Sequence, residues 1–137
     1  MNDKYILNGL QNLPLAYSFH KIILDENNKP IDYQFLEVNK LFEEMTGLKK
    51  ELIIGKTVKE CIPDIVKDDF NWIEFYGEVA INGIDRDFEK HSESLGKTYR
   101  VYVYSPEKYY FVTIFIDISN ISKIKENKRD SKWKLYQ

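Results

Sequence analysis

Residues 109–118, Tyr-Tyr-Phe-Val-Thr-Ile-Phe-Ile-Asp-Ile, constrain this chain more than any other stretch, because alternation along a strand leaves both of their faces apolar. Tyr109, Phe111, Thr113 and Phe115 fall on one face, and Tyr110, Val112, Ile114 and Ile116 on the other. Such a strand needs a cover on both of its faces. Helices of the same chain can supply one cover. The other has to come from the terminal helices or from a second copy of the protein.

The remaining periodicities supply the neighbours of that strand. Residues 85–92 and 98–105 read as strands, with turns at Glu93-Ser94-Leu95-Gly96 and Ser105-Pro106-Glu107-Lys108. Residues 15–24 alternate Leu15, Tyr17 and Phe19 against Ala16, Ser18 and His20. A dense turn cluster, Asp25-Glu26-Asn27-Asn28-Lys29-Pro30, then returns the chain antiparallel over residues 31–38. The period next changes to that of helices. Leu41, Phe42, Met45 and Leu48 form one stripe ending near Gly47, which suits a left-handed C-cap. Residues 50–54 and 58–62 read as short helical turns punctuated by Gly55 and Pro63. Phe70, Ile73, Tyr76 and Ala80 mark a longer helix that stops at Gly83, and Ile6, Leu7, Leu10 and Leu13 a short amphipathic helix before Pro14. Two strands, several helices and three strands, with no strand–helix alternation, predict an α+β fold with a five-stranded antiparallel sheet.

Composition narrows the function. At 137 residues, 43% hydrophobic and 31% charged, the chain has the size and make-up of one packed domain. Its 20 basic and 22 acidic residues, net −2, argue against a nucleic-acid binder, which needs a basic face. The charge is nevertheless uneven. Lys123, Lys125, Lys128, Arg129, Lys132 and Lys134 stand against Glu126 and Asp130, so the tail is basic and the body acidic. No apolar run approaches the roughly 20 residues of a membrane helix. The polar opening Met1-Asn2-Asp3-Lys4 is unlike a secretion signal, so a cytoplasmic protein is expected. A single cysteine, Cys61, excludes an intramolecular disulfide and a cysteine-cage metal site, and no carboxylate cluster at metal spacing is evident. Nor is there a Ser-His-Asp order with a nucleophile elbow, a phosphate-cradling glycine loop or a His-Glu-x-x-His motif.

Taken in order, several fragments over residues 13–119 resemble the PAS domain, the sensory box of bacterial signalling proteins. They are Glu37-Val38-Asn39-Lys40-Leu41-Phe42, Thr46-Gly47-Leu48, Ile53-Ile54-Gly55-Lys56, Glu60-Cys61-Ile62-Pro63, the segment from Trp72 to Gly83, and the closing run that ends Asp117-Ile118-Ser119. The last is similar to the family's Asp-Ile-Thr/Ser exit motif. The resemblance implies three parts: an N-terminal helix over residues 1–13, a sensory domain over 14–119, and an exit helix or linker over 120–137. Short helices would cover one face of the sheet, and the terminal helices would flank it. It also implies a non-catalytic module, acting as a homodimer, that senses a small molecule or a partner contact. The signal would pass to an effector, a diguanylate cyclase or histidine kinase, in a longer chain and in two-component or cyclic-di-GMP signalling. A ligand-free dimerisation module is the alternative. A small isomerase with an Asp base and a Tyr donor is a more distant one, since the strand order suits that fold less well.

The implied pocket lies between sheet and helices, and aromatic residues are the candidates to line it: Tyr17, Phe19, Phe35, Phe42, Met45, Trp72, Tyr76, Phe88, Tyr102 and Phe115. Tyr76 and Tyr102 are the stronger ones, since a buried phenol needs a hydrogen-bond partner. Asn39, Gly47 and Gly55 are structural positions. Asn39 can bond the loop backbone between strand and helix, and the glycines allow turns a Cβ would obstruct. Asp117, Ile118 and Ser119 are the expected relay, with Ser119 capping the exit helix and Asp117 adding negative charge at its start. No ligand identity follows. Flavin-binding members of the family carry a reactive cysteine in an Asn-Cys-Arg-Phe-Leu-Gln run, unlike the Glu-Cys-Ile-Pro around Cys61, which argues against a flavin adduct. Haem-binding members carry a histidine on the long central helix, where this chain has none. His20 and His91 fall in strands, where a hydrogen-bonded or exposed side chain is expected. Asp64, Asp68 and Asp69 read as a solvated loop.

Overall fold

A computed structural model of the protein describes residues 9, 11, 13–92 and 96–119. The helices expected over residues 1–13 and 120–137 lie outside these, apart from helical Gly9 and Gln11 and the described Leu13, as do three of the four residues of the turn at 93–96.

Five strands, β1 (Ala16–Leu24), β2 (Pro30–Val38), β3 (Arg86–Ser92), β4 (Lys97–Tyr104) and β5 (Tyr110–Asp117), form one antiparallel sheet in the order β2-β1-β5-β4-β3. The doubly apolar strand is thus the central one. The first strand pairs with the last, setting Ala16 opposite Phe115, Ser18 opposite Thr113 and His20 opposite Phe111. Between β1 and β2 the chain turns on Asp25, whose carboxylate accepts from the amides of Asn27 and Lys29 at 2.8 and 3.0 Å. Asn28 takes a positive φ of 62° there, a conformation Asn tolerates better than most residues.

Between the strand pair and the strand triplet run α1 (Lys40–Thr46), α2 (Lys50–Ile53), α3 (Val58–Cys61), a 3₁₀ turn (Pro63–Lys67) and α4 (Trp72–Asn82). The starts of α1, α3 and α4 are capped by side chains as their sequences dictate. Asn39 accepts from the Phe42 amide, Asn71 accepts from the Glu74 amide, and Thr57 with Glu60 forms a reciprocal capping box. Gly47 ends α1 at φ 76° and Gly83 ends α4 at φ 67°, the left-handed caps that glycine adopts without a Cβ penalty.

These helices bury their apolar sides against one sheet face. Phe42, Ile53, Val58, Ile73, Tyr76, Val79 and Ala80 meet Ile22, Tyr33, Phe35, Val101, Val103 and Phe111 in one core. The opposite face carries Tyr17, Phe19 and Tyr110, with Phe19 and Tyr110 stacked at 5.7 Å, and Arg100 paired to Asp87 and Glu89. Tyr102 and Tyr104 on this face remain 43% and 36% exposed.

Candidate functional site

A cavity of about 420 Å³ lies between the helices and the sheet. Its floor is made from the face of β1 that carries small residues. Ser18 on β1 and Thr113 on β5 are cross-strand neighbours, both buried, and their hydroxyls hydrogen-bond each other. Two short side chains where the rest of the core holds rings and branched aliphatics leave room above the centre of the sheet.

His20 stands beside that pair, two residues along β1. It is 2% exposed and stacks on Phe111 with ring centroids 4.4 Å apart, while Tyr33 and Phe35 meet it edge-on at 5.0 and 5.2 Å. Burial among rings pushes its pKa down to about 3, against a smaller opposing effect of a hydrogen bond to the Phe111 backbone, so the imidazole is neutral near pH 7. Its Nδ1 is buried without a hydrogen-bond partner. The phenols of Tyr33 and Tyr76 are also shifted upward by burial and stay protonated.

The helices close the other side. Phe42 and Thr46, one turn apart on α1, and Trp72 and Tyr76, one turn apart on α4, all line the cavity. Charged groups of the lining are Asp64, Asp68 and Lys90. Asp68 accepts from the Phe70 amide at 2.9 Å and from the Trp72 indole at 3.1 Å, and these bonds lower its pKa. Lys90 lies over the Trp72 ring at 5.0 Å.

Of the aromatic candidates, Phe35, Phe42, Trp72, Tyr76, Phe88 and Phe115 line the cavity. Four candidates do not. Tyr17 and Phe19 occupy the alternate positions of β1 and so fall on the outer sheet face, in phase with Lys21. Tyr102 alternates with buried Val101 and Val103, faces outward, and lies under the Arg100 guanidinium at 5.8 Å. Met45 packs against the core, one helical position from the lining residue Thr46. His20 is buried, with a hydrogen bond to the Phe111 backbone but an unpartnered Nδ1, whereas His91 is exposed and 3.0 Å from the Thr98 hydroxyl. Asp64, Asp68 and Asp69 are exposed, as expected of a solvated loop, and Asp64 and Asp68 also border the cavity. The signals available for His20 were its small neighbours Ala16 and Ser18 in phase and Lys21 out of phase.

The end of β5 is tied back to β4. Asp117 accepts from the Ser119 amide at 2.9 Å, the Ser119 hydroxyl accepts from the Thr98 amide at 3.0 Å, and the Ile118 amide donates to the Thr98 carbonyl at 2.9 Å. The Ser119 oxygen, expected to cap the following turn, is thus engaged by a neighbouring strand. The amides it was expected to cap lie outside the described residues.

A scan against protein-family models finds no match to this sequence, and neither does a search of curated proteins. Solved structures do match. A LOV protein of Rhodobacter sphaeroides superposes with a TM-score of 0.50 at 13% identity, over 85% of this chain and 66% of that one. An RNA-binding light-oxygen-voltage receptor gives 0.52 at 11% identity, over 95% of this chain and 37% of that one. The PAS domain of BvgS from Bordetella pertussis gives 0.50 at 19% identity and covers nearly all of both, 98% and 96%. With the sheet order and the one-sided helices, these matches decide the architecture. The chain has the PAS fold.

Within the PAS fold, Cys61 is poorly placed for the cysteine chemistry of flavin-binding relatives. It sits on α3, is absent from the cavity lining, and burial raises its thiol pKa. The residues present do not fit a cysteinyl flavin. Among the described residues no trio of His, Cys, Asp or Glu gathers as a metal site, and no helix is long and apolar enough to cross a membrane.

Proposed function

We propose that this PAS-fold domain is a non-catalytic sensor: a small molecule enters the cavity, and its occupancy is relayed along β5 to the segment after Ser119 and on to a signalling effector. The observation that carries this reading is continuity. Thr113 and Phe115 line the cavity, and the same strand ends at Asp117 in the tie to β4. A ligand that binds one arrangement of the floor better than another biases that arrangement, and the strand end moves with it. The effector is a diguanylate cyclase or histidine kinase in a longer chain.

The outer sheet face, with Tyr102 and Tyr104 exposed beside Tyr17, favours pairing with a second copy. A ligand-free dimerisation module would use the same face. Native mass spectrometry of the purified chain, with its denatured mass and a visible spectrum, separates the two. A dimer with extra non-covalent mass is the expected result. A dimer at bare polypeptide mass favours the ligand-free module, and a bare monomer removes the proposed pairing through the outer sheet face.

A further inference from the structure

We propose that the cavity selects an uncharged, flat-ring small molecule bearing one hydrogen-bonding group, and that His20 is the specificity-determining residue which engages that group. This rests on the reading of the cavity as a ligand site and names the class of ligand it takes.

The lining separates into parts with different demands. Ser18 and Thr113, the hydroxyls of the floor, already bond each other. His20 beside them has a buried Nδ1 with no partner, and a buried polar atom left unpaired is costly unless something supplies the missing bond. Around them the walls are largely rings: Tyr33, Phe35, Phe42, Trp72, Tyr76 and Phe88. Rings favour a flat partner that can stack or meet them edge-on. Among the described residues the lining's fixed charges, Asp64, Asp68 and Lys90, sit on the 3₁₀ turn, just before α4 and near the end of β3. None stands on the floor, and a charged ligand group there would be desolvated without a counter-ion. The neutral imidazole cannot supply one. The volume of about 420 Å³ lies within the ordinary range for small-molecule sites.

The test uses 2-naphthol and naphthalene, which share shape and differ by one hydroxyl able to donate to or accept from either imidazole nitrogen. Binding is measured by calorimetry, and the ring nitrogens of His20 are followed by NMR in protein labelled with ¹⁵N-histidine. The expected result is about a tenfold or greater preference for 2-naphthol, the scale of one satisfied buried hydrogen bond, with a shift of the His20 nitrogen signals by 2-naphthol alone. His20→Phe, which keeps a ring against Phe111, should bind both probes alike. Equal binding of both probes to the wild type with His20 signals unmoved overturns the proposal and leaves the cavity a ligand site; a resident water satisfying Nδ1 gives that outcome. Failure of both probes to bind overturns both. The wild-type NMR result decides the matter even if the variant does not fold.

Discussion

Asn39 is fully buried and holds three chain segments together. Its side-chain oxygen accepts from the amides of Tyr17 and Phe42 at 2.9 and 3.0 Å, its amide nitrogen donates to the Leu15 carbonyl at 2.7 Å, and its own backbone amide donates to the Tyr17 carbonyl at 3.1 Å. Removing the side chain strips an N-cap and leaves backbone groups unpaired. Asn39→Ala should therefore cost about 2–4 kcal/mol in urea unfolding. Asn39→Asp keeps both accepting bonds but turns a carboxylate oxygen toward Leu15, so it should not restore the loss. His20 makes a prediction of opposite character. Its folded pKa of about 3 lies below the ordinary 6.5, so between those values the unfolded chain binds the proton and the folded chain does not. Stability from this group is complete above about pH 6.5 and falls by about 1.4 kcal/mol per unit as the pH drops toward 3. Tyr33 and Tyr76 stay neutral over that span, and Asp64, Asp68 and Lys90 of the lining are retained when His20 is replaced. Urea unfolding from pH 6.5 to 4.5 should be flatter for His20→Phe than for the wild type by that slope. Asn39 and Gly47 were readable in the sequence because a cap and a left-handed turn demand particular residue types. His20 was not, since alternation alone cannot say which phase of β1 meets the helices.

Helix α4 shows how tightly the elements are fitted. A Cβ at Gly77 would stand 2.2 Å from Pro30 Cγ, and a proline ring fixed to its own backbone has little freedom to move aside. Alanine would favour the helix by about 1 kcal/mol, while overpacking costs about 1–3 kcal/mol. Gly77→Ala should be destabilising on balance, visible as a lower urea midpoint with unchanged slope. The C-terminal turn of α4 is held by Tyr109, whose amide donates to the Ala80 carbonyl at 2.7 Å and whose carbonyl accepts from the Ile22 amide at 2.8 Å. That grip requires a φ of 78° at a non-glycine residue. The tie after β5 is a looser fitting. Asp117 is exposed, and its carboxyl is held below the usual range chiefly by the Ser119 backbone amide, with Lys97 a lesser influence. Its contribution is present above the usual carboxylate pKa and fades as the pH falls through the lowered one. Asp117→Ala should speed exchange of the Ser119 amide while leaving global unfolding almost unchanged. Strands and helices were readable from their periods, down to the short turns at α2 and α3. The 3₁₀ turn was not. Its acids look solvated in sequence and are exposed in the structure, but no sequence signal says that Asp64 and Asp68 also border the cavity.

The whole molecule has two sides of unlike character. One sheet face is closed by helices around a cavity, and the other presents tyrosines between charged pairs. If the second face pairs two copies, Tyr102→Glu should shift the chain toward monomer in sedimentation equilibrium without lowering its unfolding midpoint. The doubly apolar residues 109–118 called for a cover on both faces; helices cover one face of β5, and its place at the centre of the sheet is set by strand pairing that the alternation did not reveal. Which aromatics would face inward depended on the sheet's parity, which a single sequence with apolar residues in both phases leaves open. The central claim joins the two ends of β5: occupancy of the cavity is felt where the chain leaves the domain. The direct measurement is amide hydrogen exchange with and without saturating 2-naphthol, read at Thr98, Ile118 and Ser119 and compared with Asn28 in the distant β1–β2 turn. The account predicts altered protection at the three strand-end amides and none at Asn28. Protection that changes only at residues lining the cavity, with Thr98, Ile118 and Ser119 unmoved, would contradict it.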